Sequence, residues 1–324
     1  INFRGRTIKV VGADRETTII DGNNNEKVVS IVNTGSGAVL KNFTIQHGYA
    51  EFDGYDSESD DGAGLFIWSS DPIISNCIIK NNLANNWGGG VFTNSSPIFR
   101  NVIVSKNTGI NGSGMSMKSG SPVLTSCSIV DNFGQGLHLR HGTELTIINS
   151  ILYGNTGGQI HFRELDDPSL LTISYSNLKD GQDSIATNNN GTVTWGDGNI
   201  DVDPMFVDTA NGNYHLLANS LCINAGHPDS LDSDSTRADM GAYPYLNNYS
   251  GPIWYITEEG NDTTGTGASD SPFASIQSAV NFATTDGDSV TVAAGTYLEN
   301  INFDGTNITM IGDGPGISII DGGA

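Results

Sequence analysis

Short apolar runs recur at a regular distance along the first half of the chain. The segments SNCIIKNN, RNVIVSKN, TSCSIVDN and INSILYGN each place a small polar residue before a β-branched run and an asparagine at its end. Their second residues are spaced by 25, 25 and 23 positions and are Asn76, Asn101, Ser126 and Asn149. A second column is spaced by 26, 24, 22 and 23 positions and consists of Leu65, Val91, Met115, Leu137 and Ile160. Two columns that share one variable period predict stacked coils whose loops absorb the differences in length.

The length of the coil decides between repeat architectures. A coil of 22–26 residues holds two or three short strands separated by Gly, Asn, Ser-Pro or Asp turns, but it is too short for a βαβ unit. The period therefore predicts a parallel β-solenoid, whose coils stack at ~4.8 Å through main-chain hydrogen bonds. An inward asparagine at the end of each segment can bond to its copies in the coils above and below, which satisfies a buried polar group.

The first 22 residues of the sequence are repeated near its end. INFRGRTIKVVGADRETTIIDG (1–22) and INFDGTNITMIGDGPGISIIDG (301–322) are identical at ten of 22 positions without a gap, and 301 minus 1 gives a period of 300. We expect a module that is repeated end to end, and a chain whose ends do not coincide with the boundaries of that module. Residues 1–22 then need a coil beneath them, either from the same polypeptide or from another copy.

One segment has helical rather than strand periodicity. Within 251–285, a helix is predicted over about 272–284, with Ser271 as N-cap and Pro272 in the first turn. The apolar residues that follow helical spacing are Phe273, Ile276, Ala279, Val280 and Ala283. We expect this helix to cover the open end of a solenoid and to shield its unpaired strands.

Several segments resemble one family of proteins. Residues 254–322, with SPFASIQSA and DGDSVTVAAGTY, resemble the N-terminal cap and first coils of right-handed parallel β-helix proteins of the pectin-lyase-like superfamily. Residues 198–243, with NYHLLANSLCINAG and RADMGAYPY, resemble the closing segment of such proteins in secreted bacterial tandem modules. The resemblance implies an all-β, right-handed parallel β-helix with one short capping α-helix, at the surface of a bacterial cell or outside it.

The same resemblance sets the expected divisions of the chain. They are the β-helix coils (1–197), the closing segment of the module (198–250), the cap strand and helix of the next module (251–285) and its first coils (286–324). The superfamily contains polysaccharide lyases, hydrolases, adhesins and rod-like surface proteins. The fold therefore does not select the function.

The amino-acid composition limits the classes of partner that the chain is expected to bind. The 324 residues carry 36 acidic and 14 basic side chains, a net charge of −22. Nucleic acid is not expected as a partner because its binding depends on Lys and Arg. No apolar run approaches the length of a membrane span.

Cys77 and Cys127 share a column with Val102 between them. Two coils of rise place them about 10 Å apart, beyond the reach of a disulfide.

One outward-facing column changes from aromatic to basic along the predicted solenoid. The segments LFIW, VFTN, MSMK, LHLR and IHFR align across five coils, so Trp68, Asn94, Lys118, Arg140 and Arg163 share one position. Aromatic faces stack on sugar rings, and Arg binds carboxylates or sulfates bidentately. An elongated groove with both kinds of side chain suits an acidic polysaccharide. The residues predicted to bind this glycan are Phe66, Trp68, Phe92, Lys118, His138, Arg140, His161 and Arg163. The alternatives are a solvated sheet face or a lateral contact between rods.

An enzyme acting on an acidic glycan is the alternative function. In a lyase, His138 or His161 would remove the proton α to a carboxylate, and the cations that would neutralise this carboxylate are Lys118, Arg140 and Arg163. The acidic cluster that places calcium in many β-helix lyases is not visible beside this column. A hydrolase needs paired carboxylates, for which the nearby acids are Glu144, Glu164, Asp166 and Asp167.

Two acidic loops offer oxygen ligands for Ca²⁺. One is EFDGYDSESDD (51–61), and the other is HPDSLDSDSTRAD (227–239), where Asp232 and Asp234 alternate near Asp229. Neither loop matches the EF-hand pattern, and solvated loops are the alternative.

The main hypothesis is a non-enzymatic structural protein of the cell surface that requires no cofactor. Its tandem modules join head to tail into a rod or filament, within one polypeptide or between copies, because an end-to-end contact propagates unless something closes it. Binding of acidic polysaccharide is compatible with this role.

Overall fold

The computed structural model describes residues 1–51, 61–165, 167–303, 305 and 307–323. The chain divides into two compact units. The first contains Ile1–Val202 and Met240–Ala242, and the second contains Asp203–Asp239 and Tyr243–Ala324. The acidic stretch 52–60 of the first predicted Ca²⁺ loop, and Asp166 of the predicted hydrolase acids, lie outside the described residues.

Short strands make up most of the regular structure described in the first unit, which also contains a 3₁₀ turn at Gly181–Ser184. The strands are β1 (Lys9–Val11), β2 (Ile19–Asp21), β3 (Val29–Lys41), β4 (Thr44–Gln46), β5 (Tyr49–Ala50), β6 (Leu65–Ser75), β7 (Ile78–Lys80), β8 (Leu83–Ala84), β9 (Val91–Thr93), β10 (Ile98–Arg100), β11 (Ile103–Ser105), β12 (Met115–Met117), β13 (Val123–Thr125), β14 (Ser128–Val130), β15 (Leu137–Leu139), β16 (Glu144–Ile148), β17 (Ile151–Tyr153), β18 (Ile160–Phe162), β19 (Ser169–Ser174), β20 (Asn177–Leu178), β21 (Ile185–Ala186) and β22 (Gly191–Trp195).

Apart from β5 and β8, which form a separate parallel pair, these strands stack into three parallel ladders around one core. The first ladder runs β3–β6–β9–β12–β15–β18–β21, the second runs β1–β3–β6–β10–β13–β16–β19–β22, and the third runs β2–β4–β7–β11–β14–β17–β20. The long strands β3 and β6 belong to both of the first two ladders. In the first ladder, the residues in register include Leu65, Val91, Met115, Leu137 and Ile160. The register confirms the column that the sequence spacing predicted, and the fold is a parallel β-helix.

An asparagine ladder runs through the turns that follow the third ladder. Nδ2 of Asn82 donates to Oδ1 of Asn107 at 2.9 Å, Asn107 donates in the same way to Asn132 at 3.1 Å, and Asn132 donates to Asn155 at 2.8 Å. Each Oδ1 also accepts a backbone N–H from the coil before it, as Asn107 does from Asn82 at 3.0 Å. The asparagine at the end of each repeated segment therefore has the role that the sequence predicted.

The cysteines are core residues. Cys77, Cys127 and Cys222 are buried free thiols. Burial raises the pKa of Cys77 to about 11 and that of Cys127 to about 12, which keeps both thiols protonated.

The described part of the second unit contains an antiparallel hairpin, a helix and two small parallel sheets. Its elements are β23 (Phe206–Asp208), β24 (Asn213–Leu216), β25 (Ile253–Ile256), α1 (Ile276–Phe282), β26 (Ser289–Val292), β27 (Gly295–Leu298), β28 (Thr309–Gly312) and β29 (Ser318–Asp321). β23 and β24 are antiparallel, whereas β25–β26–β28 and β27–β29 are parallel.

The helix is shorter than the sequence predicted. α1 begins at Ile276 with Ser275 in the N-cap position, so the expectation of an N-cap at Ser271 and a first turn at Pro272 is wrong. Phe273 instead forms a parallel β-bridge with Ile256, and its N–H donates to the carbonyl of Tyr255 at 3.0 Å. Both carboxylate oxygens of Glu299 accept the first backbone N–H groups of α1, from Ile276 at 2.7 Å and Gln277 at 2.9 Å. Acceptors from outside the helix therefore set its start.

The predicted apolar face of α1 is buried within the second unit. Phe273, Ile276, Ala279, Val280 and Ala283 are all buried. Phe273 and Phe282 have ring centroids 5.4 Å apart, and both rings stack near Trp254 of β25.

Among the described residues, no helix has the length and apolar content needed to cross a membrane.

The two copies of the repeated segment have the same strands. β1 covers positions 9–11 and β28 covers 309–312, while β2 covers 19–21 and β29 covers 318–321. Each segment thus contributes one strand to each of two parallel ladders, at the same offset of 300 that the sequence gives.

Candidate functional site

The predicted column of aromatic and basic residues lies on the outer face of the first ladder. Cα register joins Phe66 to Phe92, Phe92 to Ser116, Ser116 to His138 and His138 to His161. Two positions further on, backbone N–H groups of Lys118, Arg140 and Arg163 donate to the strand of the preceding coil. Alternation along each strand brings both columns to the same face.

One end of this face is a stack of aromatic rings. Phe66 and Phe92 have centroids 5.7 Å apart with an interplanar angle of 10°, and Trp68 lies nearly parallel to both rings. Nζ of Lys27 lies 3.8 Å from the Phe66 centroid, and Nζ of Lys118 lies 5.3 Å from that of Trp68. Each ammonium is therefore held by a ring face in a cation–π contact.

The other end is organised around Trp87, which is not among the predicted site residues. Cζ of Arg140 lies 3.9 Å from the centroid of the Trp87 indole, and Cζ of Arg163 lies 4.8 Å from it. The His138 ring is 5.1 Å from the indole and stacks on His161 at 5.5 Å. One indole thus gathers two guanidinium groups and a histidine pair.

Trp87 is positioned by a tight turn in the segment NNWGGG. Gly88 has φ +66°, and a Cβ there would lie 2.2 Å from the carbonyl oxygen of Val91. Only glycine accommodates both conditions, so the chain reverses just after the indole. A tryptophan in front of three glycines was the available sequence signal, but it lies outside both spacing columns.

Trp87 and its neighbours change the environment of the predicted site. The sequence suggested an open groove or a solvated face, but Phe92, Ser116 and His138 are buried, and His138 is 2% exposed. Arg140 is 5% exposed and Trp87 is 8% exposed. The centre of the predicted outward-facing column is therefore covered by its neighbours rather than solvated. Phe66, Trp68, Lys118, His161 and Arg163 are half-buried and reach the surface.

Several buried polar atoms in this cluster have no hydrogen-bond partner in the described part of the chain. They are Nε1 of Trp87, Oγ of Ser116, Nδ1 of His138 and Nδ1 of His161. Nδ2 of Asn188 donates to the carbonyl of Phe162 at 2.6 Å and contacts Nε2 of His161 at 3.1 Å. Because Nδ2 is a donor, Nε2 accepts, so the proton of neutral His161 is on Nδ1. Trp87 Nε1 and His161 Nδ1 are therefore buried donors beside two guanidinium groups.

The histidines are neutral at ordinary pH. Burial lowers the pKa of His138 to about 3, and the charges of His161, Arg140 and Arg163 act in the same direction. Burial also lowers the pKa of His161, although Glu164 opposes this. A histidine with so low a pKa is a weak general base at neutral pH. Among the predicted hydrolase acids, Glu144 is exposed and accepts a hydrogen bond from Ser121, while Glu164 and Asp167 are exposed.

The aspartates of the second predicted Ca²⁺ loop accept hydrogen bonds within the second unit. Oδ2 of Asp232 accepts the backbone N–H of Asp239 at 2.8 Å, and Oδ2 of Asp234 accepts that of Asn247 at 2.9 Å. Asp229 is exposed. In the described residues, no group of three or more His, Cys, Asp or Glu side chains is arranged to hold a metal ion. Calcium binding at these residues stays a prediction.

The comparisons with known proteins concern the coils that carry this site. Residues 11–168 match the family model for the right handed beta helix region. This span includes all of the predicted glycan-binding residues. A search of curated proteins finds no match.

Proposed function

We propose that the chain, of which residues 11–168 match the family model for the right handed beta helix region, is a non-enzymatic structural protein of the cell surface. Its modules join head to tail into a rod or filament. The observation that carries this proposal is that the repeated segments 1–22 and 301–322 form equivalent strands in two parallel ladders. A module that opens with the coil on which the previous module closes continues the same solenoid.

The edge strands of the two units support the end-to-end joining of modules. β1 pairs with β3 and β2 pairs with β4, and within the described residues neither has a strand on its other side. β28 and β29 likewise pair only with β26 and β27 there. Unpaired parallel edges with apolar side chains are templates for adding further strands. Val11, Ile19, Ile311 and Ile320 are such exposed side chains.

Electron microscopy of the purified chain, together with a glycan cleavage assay, tests the structural role. We expect elongated particles whose length grows in steps of about 50 Å, the rise of about ten coils, and no unsaturated products from alginate or pectate. Compact particles at every concentration, with release of such products, would overturn the proposal in favour of a lyase.

Binding of acidic polysaccharide is a second function that one observation favours. Arg140 and Arg163 both contact the indole of Trp87, next to the buried donors of Trp87 and His161. Guanidinium groups and N–H donors are the groups that recognise carboxylates and sulfates. The stacked rings of Phe66 and Trp68 provide the neighbouring apolar surface for sugar rings. A surface rod that carries this site along its length would bind such a glycan at repeated intervals.

A further inference from the structure

A cavity of about 240 Å³ lies within the second unit. Its walls combine acidic or amide side chains with aromatic rings, and no lysine, arginine or histidine lines it. The acidic and amide residues include Asn224, Asp234 and Asp288, and the aromatic residues are Tyr249, Trp254 of β25 and Phe282 of α1. The cavity therefore has a negative and partly apolar lining.

The carboxylate of Asp288 is the most deeply buried charge of this lining. Asp288 is 3% exposed. Its Oδ2 accepts Nε1–H of Trp254 at 3.2 Å and the backbone N–H of Thr285 at 3.3 Å. Its Oδ1 accepts no hydrogen bond from the described residues, and none of their cationic side chains pairs with it. A buried carboxylate without a cation is costly, so this oxygen favours a positively charged donor.

Asp234 brings a second carboxylate to the same cavity. Its Oδ1 accepts the hydroxyl of Thr236 at 2.8 Å, and its Oδ2 accepts the backbone N–H of Asn247 at 2.9 Å. These bonds fix its orientation but do not neutralise its charge, because both donors are uncharged. Within the described residues, Asp234 makes no ion pair either. Two carboxylates thus face one cavity without a cation from the chain itself.

Asn224 adds an acceptor that lacks a donor. Its Nδ2 donates to the carbonyl of Asn281 at 3.1 Å. The flipped amide would place Oδ1 against that carbonyl, so the orientation of the side chain is fixed. Oδ1 is buried and has no hydrogen-bond partner in the described part of the chain. A buried acceptor in this state costs free energy, which a donor in the cavity would recover.

The buried donors that line the cavity are already engaged. Nε1 of Trp254 donates to Asp288, and Nδ2 of Asn247 donates to the carbonyl of Thr266 at 3.0 Å. The hydroxyl of Tyr249 donates to the carbonyl of Ile253. Acceptors are therefore in surplus, and the group that fits the cavity is a donor.

The aromatic residues add a preference for an organic cation. The rings of Tyr249 and Trp254 meet edge to face at 5.0 Å, and the Phe282 ring lies 6.0 Å from that of Trp254. Aromatic rings attract ammonium groups and pack against alkyl chains, but they offer no oxygen ligand to a metal ion. No group of three or more His, Cys, Asp or Glu side chains that could hold a metal is found in the described residues.

We propose that this cavity binds a primary alkylammonium ion, carried by a small free amine or by a lysine side chain of a polypeptide. An ammonium group has three N–H donors. Oδ1 of Asp288 and Oδ1 of Asn224 accept from it, and the carboxylates of Asp288 and Asp234 balance its charge. The rings of Tyr249, Trp254 and Phe282 pack against the alkyl chain. This site is separate from the proposed joining of modules and from the proposed glycan-binding cluster.

Calorimetric titration of the whole chain tests the ligand class. We expect saturable binding of n-butylammonium or of Nα-acetyl-lysine methylamide, and the tighter of the two identifies the source of the ammonium group. Neutral n-butanol, of the same shape, should not bind, and tetramethylammonium, which has no N–H donor, should bind at least about tenfold more weakly. Equal binding of n-butanol or tetramethylammonium would overturn the proposal. So would binding of Ca²⁺ alone, or no binding of either primary ammonium at millimolar concentration.

Substitutions locate the binding in the cavity. Asp288→Asn keeps the shape of the side chain but removes its charge, and it should weaken binding of the preferred ammonium about tenfold or more. Asp234→Asn, at a half-buried position, should weaken it in the same direction and decides the test if urea unfolding shows that Asp288→Asn does not fold. The matched control is Asp286→Asn, which removes the same charge from an exposed side chain outside the lining. Its affinity should be unchanged, and an equal loss in the control and the cavity variants would overturn the assignment to this cavity.

Discussion

Phe3 and Phe303 hold the same place in two copies of one coil but differ in environment. Phe3 is 1% exposed in the core of the first unit, whereas Phe303 is 42% exposed in the second. The difference follows from the coil of β3 and β4, which covers residues 1–22 and has no counterpart over 301–322 within the described residues. The state of this coil therefore depends on its neighbour, as expected of a solenoid in which each repeat contacts only the next.

This pair provides a matched stability test. Phe3→Ala should lower the free energy of unfolding of the first unit by about 3–5 kcal/mol, the range for truncating a buried phenylalanine. Phe303→Ala should cost under about 1 kcal/mol in the isolated chain because its ring is largely solvated already. Urea unfolding of both variants measures the two effects. Equal losses would mean that residues 301–322 are already covered.

The asparagine ladder predicts a second loss of stability. Asn107→Ala removes the Oδ1 that accepts the buried backbone N–H of Asn82 and the Nδ2 that donates to the carbonyl of Ile79 and to Asn132. Each buried group that loses its partner costs about 1–3 kcal/mol. We expect a decrease of at least ~2 kcal/mol in the free energy of unfolding. The control is Asn25→Ala, at an exposed asparagine, and a loss of the same size there would show that the ladder contributes nothing specific.

Burial of His138 predicts acid sensitivity. Its folded-state pKa of about 3 lies below the ordinary value of 6.5, so the folded state resists protonation. This stabilisation is complete above pH 6.5 and is lost as the pH falls toward 3. Between pH 6 and 4.5, His138 should account for a decrease of about 2 kcal/mol in the free energy of unfolding.

Comparison with a variant isolates the contribution of His138. His138→Phe continues the aromatic column of Phe66 and Phe92 and cannot be protonated. Asp232 and Asp239, whose pKa values are raised by burial, give a slope of the opposite sign, but they are present in both proteins. Urea unfolding from pH 7.5 to 4.5 should therefore show a shallower decrease for His138→Phe. Parallel curves would contradict the assignment.

Glycan retention tests the cluster around Trp87. Arg163 is half-buried and contacts the indole of Trp87. Arg163→Ala should therefore weaken retention on immobilised polyuronate about tenfold or more, as expected for loss of a charge-assisted contact. Retention should fall with added salt. The matched control, Arg100→Ala, should bind as the unaltered chain does. If both variants are retained equally, the cluster does not bind the glycan.

The sequence predicted the coil register well because each coil repeats the same inward and outward alternation. Leu65 and Val91, for example, are fixed in register by burial, and their spacing is visible without a structure. Trp87 could not be found in this way because turns differ in length from coil to coil, and its contacts with Arg140 and Arg163 join residues more than 50 positions apart. The start of α1 was misplaced because Glu299, a distant acceptor, fixes it rather than a local cap.

The most direct test of end-to-end joining is the length of a two-module polypeptide. Because residues 301–322 repeat 1–22, a second copy of residues 23–322 can follow Gly322 in phase. Small-angle scattering of this protein should give a single rigid rod that is about 50 Å longer than the one-module chain, from about ten added coils. Two bodies that scatter as independent particles on a flexible tether, with no ordered increase in length, would contradict the proposal that the modules form one continuous solenoid.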